Sequence, residues 1–262
     1  MKVVVITGST SGIGRGLADS FLSHGCAVAI SGRTSARVQE TVADLSAQHE
    51  AGRVFGHACD VTDLLQVQAL WDATKARFGK VDIWINNAGV GQPEAVFWDL
   101  ALDHTEAIVK TNLLGTMYGS RVALRGMLDQ GFGSLYNIEG MGADGRKTKG
   151  FSVYGTSKAA VRFFTESLAV DTADTPVIVG GLSPGMVVTE FITRHYVDRP
   201  EDFQRVKPIF NILADRVETV TPWLVQRVLA NEKNGVRIVW LTPLKIMMRF
   251  MTARIRKRDL FD

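Results

Sequence analysis

Tyr154 and Lys158 stand four residues apart in Tyr154-Gly155-Thr156-Ser157-Lys158. On a helix that spacing puts a phenol and an ammonium on one face. A neighbouring cation favours the ionised phenol and lowers its pKa. The expectation is a tyrosine usable as acid or base near neutrality. The pair alone is common, and its weight comes from what precedes it. The chain opens with an apolar run, Val3-Val4-Val5-Ile6, followed by Thr7 and then Gly8, Ser9, Thr10, Ser11, Gly12, Ile13 and Gly14. Ile13, Leu17, Phe21 and Leu22 then fall on one helical face. Strand, glycine-rich turn and helix together hold a dinucleotide pyrophosphate. Glycine lets the backbone approach the phosphates, and the helix N-terminus offers free N–H groups to the negative charge.

Three strand ends add polar groups at matching places. The second strand ends Ala29-Ile30-Ser31-Gly32-Arg33, with no acid to hold a ribose hydroxyl. A basic residue there suits the extra phosphate of NADP; the other reading of Arg33 is a solvated turn residue. Arg15 is a second candidate for that phosphate. The third strand ends Cys59-Asp60-Val61. Asp60 either caps the next helix or holds the adenine from the crevice edge. The fourth strand runs into Asn86-Asn87-Ala88-Gly89, a polar turn facing the same crevice.

The elements that must position these groups alternate along the chain. Strand patterns fall near 2–7, 26–31, 53–58, 81–86, 133–138, 176–182 and 236–240. Helical patterns fall near 12–24, 35–49, 63–78, 101–129, 152–173 and 219–233. Such alternation predicts an α/β fold, a single doubly wound parallel sheet of about seven strands with helices on both faces. The 262 residues, 46% hydrophobic, suit one such domain over 1–241 with an extension at 242–262. A formal charge of +3 is too small to argue for nucleic acid. The two cysteines, Cys26 and Cys59, read as core residues of a reducing compartment. The histidines show no metal-ligand spacing, so no metal is expected. The first strand begins too early for a signal peptide, and no apolar run is long enough to span a membrane. The expected location is cytoplasmic.

With these motifs in order, the chain resembles the short-chain dehydrogenase/reductase family over nearly its whole length. The resemblance implies a nicotinamide cofactor, with Tyr154 as proton donor. Lys158 is implied to lower the tyrosine pKa and hold the nicotinamide ribose. Asn112, in Lys110-Thr111-Asn112-Leu113-Leu114-Gly115, matches the family's structural and proton-relay asparagine, which positions a water. Pro184-Gly185-Met186-Val187, followed by Thr189, matches the turn whose backbone meets the nicotinamide carboxamide. A homodimer or homotetramer is implied as well.

One position departs from the family pattern. A serine that polarises the substrate carbonyl is usual after the fifth strand, but the run here is Asn137-Ile138-Glu139-Gly140-Met141-Gly142. Loss of one positioned donor typically costs on the order of 10²–10³ in rate. Either the chain is a non-catalytic cofactor-binding scaffold or sensor, or Gly140 makes room for an unusual substrate. Asn137 to Arg146 resembles the corresponding stretch of chlorophyll b reductases, which also lack the serine. Similarity continues through Leu182 to Val187, Phe210 to Ala214, and a basic C-terminal extension. Plant members carry a transit peptide; the expectation here is a mature form or a prokaryotic relative. Glu139 either orients a water on the carbonyl or forms a salt bridge to a base such as Arg146.

The leading expectation is an NADPH-dependent carbonyl reductase for a large apolar substrate, reducing the formyl group of chlorophyll b to hydroxymethyl. The alternative is a steroid, retinoid or other lipid carbonyl. On this view Gly140→Ser reduces small aldehydes as fast or faster, while a chlorophyll-sized substrate loses turnover. Residues 189–215 form an excursion carrying Phe191, Ile192, Tyr196 and Phe203, expected to be a substrate lid. In 244–258, Leu244, Met247, Met248, Met251 and Ile255 recur at helical spacing among Lys245, Arg249, Arg254, Arg256, Lys257 and Arg258. One reading is peripheral contact with a membrane; the other is packing on the chain's own fold or on a second subunit.

Overall fold

A computed structural model describes residues 1–50, 52–190, 200–253, 255 and 257–261. The valine, isoleucine and alanine runs form strands buried on both faces, as a helix-covered parallel sheet requires. The main sheet contains β1 (Val3–Ile6), β2 (Ala27–Gly32), β3 (Val54–Ala58), β4 (Ile83–Asn86), β5 (Gly133–Ile138), β6 (Val177–Ser183) and β9 (Val236–Val239). Their order is β3-β2-β1-β4-β5-β6-β9, all parallel. The order reverses between β1 and β4, and the crevice outside their carboxyl ends is where such sheets bind ligands. The sheet matches the expected doubly wound α/β fold.

One face carries α1 (Gly12–Ser23), α2 (Ser35–Gln48) and α8 (Val217–Leu229). The other carries α3 (Leu64–Phe78), α4 (Leu102–Ile108), α5 (Gly115–Gln130) and α6 (Ser152–Asp171). Cys26 and Cys59 are free and buried in these cores. The aspartate that caps α3 is Asp63, whose carboxylate accepts from Leu65 and Gln66 N–H. Asp60 instead turns its Oδ1 to Thr62. Of the two readings of Asp60, capping therefore falls to Asp63 instead, three residues along at the helix start.

Three expectations change further along the chain. The helix predicted over 101–129 is interrupted by a π-helical turn, Val109–Leu114, which contains Asn112. Such single-turn bulges occur mostly where a functional residue must be re-aimed. The excursion is not a plain loop. It contains β7 (Val187–Val188), α7 (Pro200–Leu213) and β8 (Asp215–Arg216), with β7 and β8 paired in parallel. Phe191, Ile192 and Tyr196 lie outside the described residues. The tail helix, α9 (Pro243–Thr252), stops earlier than 258.

The tail also reverses the usual amphipathic arrangement. Arg249 and Arg258 reach inward to Asp215, and Lys245 Nζ sits 3.0 Å from the Trp240 ring centroid. Leu244, Met247, Met248, Met251 and Ile255 are exposed. These three cations serve packing on the chain's own fold. No helix among the described residues is long and apolar enough to cross a membrane.

A buried polar network ties β4 and β5 to the helices above them. Asn86 Oδ1 accepts from Trp84 Nε1 at 2.8 Å, and its Nδ2 donates to Asn137 Oδ1 at 2.8 Å and Ser120 Oγ at 3.0 Å. Asn137 passes the link on to Thr165 of α6 at 2.8 Å. Asn86→Ala leaves several of these buried groups unpaired, which costs about 1–3 kcal/mol per group. The variant should lose roughly 2–4 kcal/mol of stability, seen as a lowered urea midpoint at unchanged slope.

Candidate active site

The glycine turn after β1 and the polar turn after β4 are fastened to each other. Asn87 Nδ2 donates to Thr7 O and Gly8 O at 2.9 and 3.0 Å, and Thr7 Oγ1 accepts from Asn87 and Ala88 N–H. A Cβ on Gly8, where φ is +64°, would stand 2.8 Å from Ala88 Cα. Only glycine fits that approach. Ser9 is placed differently from the expectation. Its N–H, at 2.8 Å, and its Oγ, at 2.7 Å, are committed to Ser31 O and Ile6 O, so it joins β1 to β2 and does not face the crevice. Ile13 is half-buried against the core, while Thr10 lies beside Gly32.

These surroundings fit a nicotinamide dinucleotide. Ser11 makes no side-chain cap at α1, so the first-turn amides are left for an anion. Gly12 opens toward Thr189, whose methyl would lie 3.4 Å from a Cβ there. Gly14 is buried under the Asn87 amide. Arg33 stands exposed directly after β2, with no ion pair among the described residues, whereas Arg15 is engaged by Asp44 at 3.2 Å. Asp60 and buried Val61 follow β3 at the edge of the same crevice. Pro184 is buried and Gly185 has φ +73°; Met186 O accepts from Asp215 N–H at 3.0 Å, and Val187 pairs with Asp215.

Asn112 is fully buried, and its amide clamps Val90 from both sides. Its Oδ1 accepts from Val90 N–H at 2.8 Å; its Nδ2 donates to Val90 O at 3.0 Å and Ser157 Oγ at 3.3 Å. These contacts make the side chain a clamp on the turn at Gly89–Val90. A Cβ on Gly89 would lie 3.2 Å from Asn112 Oδ1 and 3.8 Å from Lys158 Nζ. The bare glycine thus lets the turn pass close to both side chains.

Tyr154 and Lys158 share one face of α6, as their spacing predicts. Lys158 is buried and donates from Nζ to Ile138 O at 3.2 Å. Burial lowers its pKa to about 8, and the charge of Glu139 partly opposes that fall. Tyr154 is half-buried as a whole residue, but its hydroxyl end is sunk. That burial pushes its pKa up to about 12. The expected lowering by the ammonium is therefore overturned, because desolvation of the phenolate outweighs it. The phenol is held protonated, the form needed by a proton donor.

Gly140 faces this pair directly. A Cβ there would stand 2.7 Å from Tyr154 Oη and 3.1 Å from Lys158 Cγ. The glycine thus gives the tyrosine hydroxyl the space that it occupies. Glu139 is buried and bonded to Arg237 of β9, with Nε at 2.7 Å and Nη2 at 2.6 Å from Oε2. Arg146 pairs instead with Asp144. The bridge expected for Glu139 thus exists with a different partner, one that β9 alone brings close. Gly181 makes room for it, since a Cβ there would lie 2.6 Å from Oε1.

The sequence reading missed Gln92. It is buried, accepts from Tyr154 N–H at 2.8 Å and donates to Gly150 O at 2.7 Å. It thereby satisfies a first-turn amide of α6 and fixes the start of the helix that carries Tyr154. No local pattern marks a glutamine 62 residues from its partner.

Comparison with known proteins agrees with this geometry. A profile of the short chain dehydrogenase family matches residues 2–199. A "probable chlorophyll(ide) b reductase NYC1, chloroplastic" of Oryza sativa subsp. japonica is 33% identical over 275 residues, covering 99% of this chain and 53% of its own. The chlorophyll(ide) b reductase NOL of Arabidopsis thaliana is 38% identical over 240 residues, covering 88% of this chain and 66% of its own. The chain spans about half the length of the two NYC1 relatives it matches, 53% and 54%. Among solved structures, a serine dehydrogenase complexed with NADP+ has a TM-score of 0.78 at 28% identity, covering 90% of this chain and 94% of that one. An actinorhodin polyketide ketoreductase with NADPH has a TM-score of 0.79 at 28% identity, covering 91% and 95%. The chain belongs to the short-chain dehydrogenase family.

Proposed function

We propose that this chain uses NADPH to reduce the formyl group of chlorophyll b or chlorophyllide b to a hydroxymethyl group. The observation that carries the reading is the bare wall at Gly140, 2.7 Å from Tyr154 Oη measured from an added Cβ, where a carbonyl-polarising serine is usual. The relatives named as chlorophyll(ide) b reductases support it. When bound, the dinucleotide would supply the hydride that the formyl carbon takes up. Tyr154 Oη then gives its proton to the developing alkoxide, so one hydride and one proton convert C=O to CH–OH. Lys158, charged below about pH 8, favours the phenolate left by the departing proton, lies beside Gly89 and would hold the nicotinamide ribose. The turn at Gly8–Gly14 would hold the pyrophosphate, and Asp60 and Val61 would border the adenine. Pro184, Gly185, Val187 and Thr189 would border the nicotinamide. Arg33 would meet the 2′-phosphate.

NADPH oxidation with chlorophyll b and chlorophyllide b, with retinal and a steroid ketone beside them, tests the substrate class. Turnover of retinal or the ketone alone would replace it. Tyr154→Phe should lower kcat by about 10²–10⁴-fold while NADPH binding persists. In the intact enzyme, kcat/KM for reduction should fall above about pH 8, where Lys158 loses its charge. A profile flat to pH 10 would remove Lys158 from the proton path.

Arg33→Ala should weaken NADPH by roughly 10–100-fold, the worth of a charge-assisted hydrogen bond, and leave NADH almost unchanged. Equal weakening of both cofactors in a binding titration would exclude the 2′-phosphate contact.

Gly140→Ser should slow every substrate, small aldehydes included, which reverses the expectation drawn from the sequence. Its Cβ displaces the Tyr154 hydroxyl before its own hydroxyl can help. Misplacement of a reacting group by about 1 Å costs on the order of 10² in rate. Faster turnover of small aldehydes by the variant would show that the tyrosine can shift freely.

A further inference from the structure

Helix α7 lies between a cavity and the end of the chain. Asp202, Arg205 and Val206 line a cavity of about 390 Å³, whose other walls among the described residues are Glu94 to Val96 and Lys149–Gly150. Gly150 is bonded to Gln92, which in turn holds Tyr154, so this cavity adjoins the start of the catalytic helix. Phe203, Lys207 and Phe210 face the other way. Phe261 meets Phe203 edge-on at 5.0 Å and Phe210 at 6.1 Å. Asp259 pairs with Lys207 at 3.3 Å, and Leu260 N–H donates to Asn211 Oδ1 at 3.2 Å.

This strap is anchored at one buried carboxylate. Asp215 accepts from Trp240 Nε1 at 2.6 Å, from Arg249 Nη2 at 2.7 and 3.0 Å, and from Arg258 Nη2 at 2.7 Å. The same arginines donate from Nη1 to Leu213 O and Ile212 O, the last carbonyls of α7. Those carbonyls are the negative end of the helix dipole, which cations stabilise. Asp215 N–H also bonds Met186 O, within the turn that borders the nicotinamide. One residue therefore joins that turn, α7 and the C-terminal segment.

We propose that Asp215 is a positioning residue. Through Arg249 and Arg258 it straps the C-terminal segment across α7, fixes the wall of the cavity at the start of α6, and so determines whether a bulky carbonyl substrate is held. The proposal rests on the reading that this cavity takes the substrate. Removing one member of a buried ion cluster leaves the others uncompensated. Loss of the anchor should therefore free the strap and loosen the wall, while the backbone bond from Asp215 N–H to Met186 O, which does not depend on the carboxylate, keeps the nicotinamide turn in place.

The test uses the full chain with Asp215→Asn, Arg258→Gln and Arg258→Lys. Trypsin cleavage after the basic residues 254–258, followed by mass spectrometry, reads release of the strap. KM and kcat for chlorophyllide b, and the Kd of NADPH, are measured on the same samples. The first two variants should be clipped faster and show KM raised on the order of tenfold. Their kcat and NADPH Kd should stay within about twofold. Arg258→Lys should recover most of the lost KM effect. Faster clipping with unchanged KM would overturn the proposal, and so would unchanged clipping. A parallel loss of kcat, KM and NADPH binding would mark a general structural role and overturn it too. If Asp215→Asn does not fold, Arg258→Gln decides, because it removes a single limb of the anchor. If the wild-type chain does not reduce chlorophyllide b, the substrate assignment fails, and the same KM comparison with retinal still reads the strap.

Discussion

The close approach of two strand ends governs this molecule. β1 and β4 are neighbours at the point where the strand order reverses, and both chains must turn away there without colliding. The contact is possible because Gly8 has no Cβ within 2.8 Å of Ala88 Cα. It is held by the Thr7 hydroxyl and the Asn87 amide, which bond the opposing backbone. With the two turns locked together, the first amides of α1 and the turn at Gly89 face one crevice. Any larger residue at position 8 would part the turns and dissolve the site before any catalytic group was touched.

Burial tunes the chemistry set on that frame. A phenol and an ammonium on one helix face do not by themselves make an acidic tyrosine. Sinking both into the protein pushes the phenol up to about 12 and the ammonium down to about 8. Each shift favours the uncharged form. Glu139 supplies the nearby negative charge that partly restores the lysine, and Arg237 keeps that carboxylate from standing alone. The site thus carries its charge balance through β5, β9 and α6 together. The π-helical turn at Asn112 is part of the same arrangement, because it delivers the amide that fixes Val90 beside the lysine.

The tail shows how charge placement can invert a familiar pattern. A basic amphipathic segment ordinarily turns its cations to solvent. Here Asp215, buried with Trp240 nearby, draws two arginines inward, and the methionines are left outside. The strength of a charge-assisted pair in a buried setting outweighs the exposure of several apolar side chains.

Much of this was legible in the sequence, for a local reason. The glycine turn, the Asn86–Gly89 turn, the Tyr154/Lys158 spacing and the strand–helix alternation are set by residues within one or two turns of each other. The seven-stranded parallel sheet follows from them, and the bare position at Gly140 is visible as a missing side chain. What that glycine faces was not visible, because Tyr154 Oη reaches it only once α6 has packed on β5. Ser9 reads as a phosphate ligand until β2 places Ser31 beside it. Glu139 finds Arg237 across 98 positions, and Asp215 finds Arg249 and Arg258 across 34 and 43. Sequence determined which chemistry was available and where the chain would turn. Tertiary packing decided which groups were spent on structure, which stayed charged and which faced the crevice, because desolvation and ion pairing act between residues that only the fold brings together.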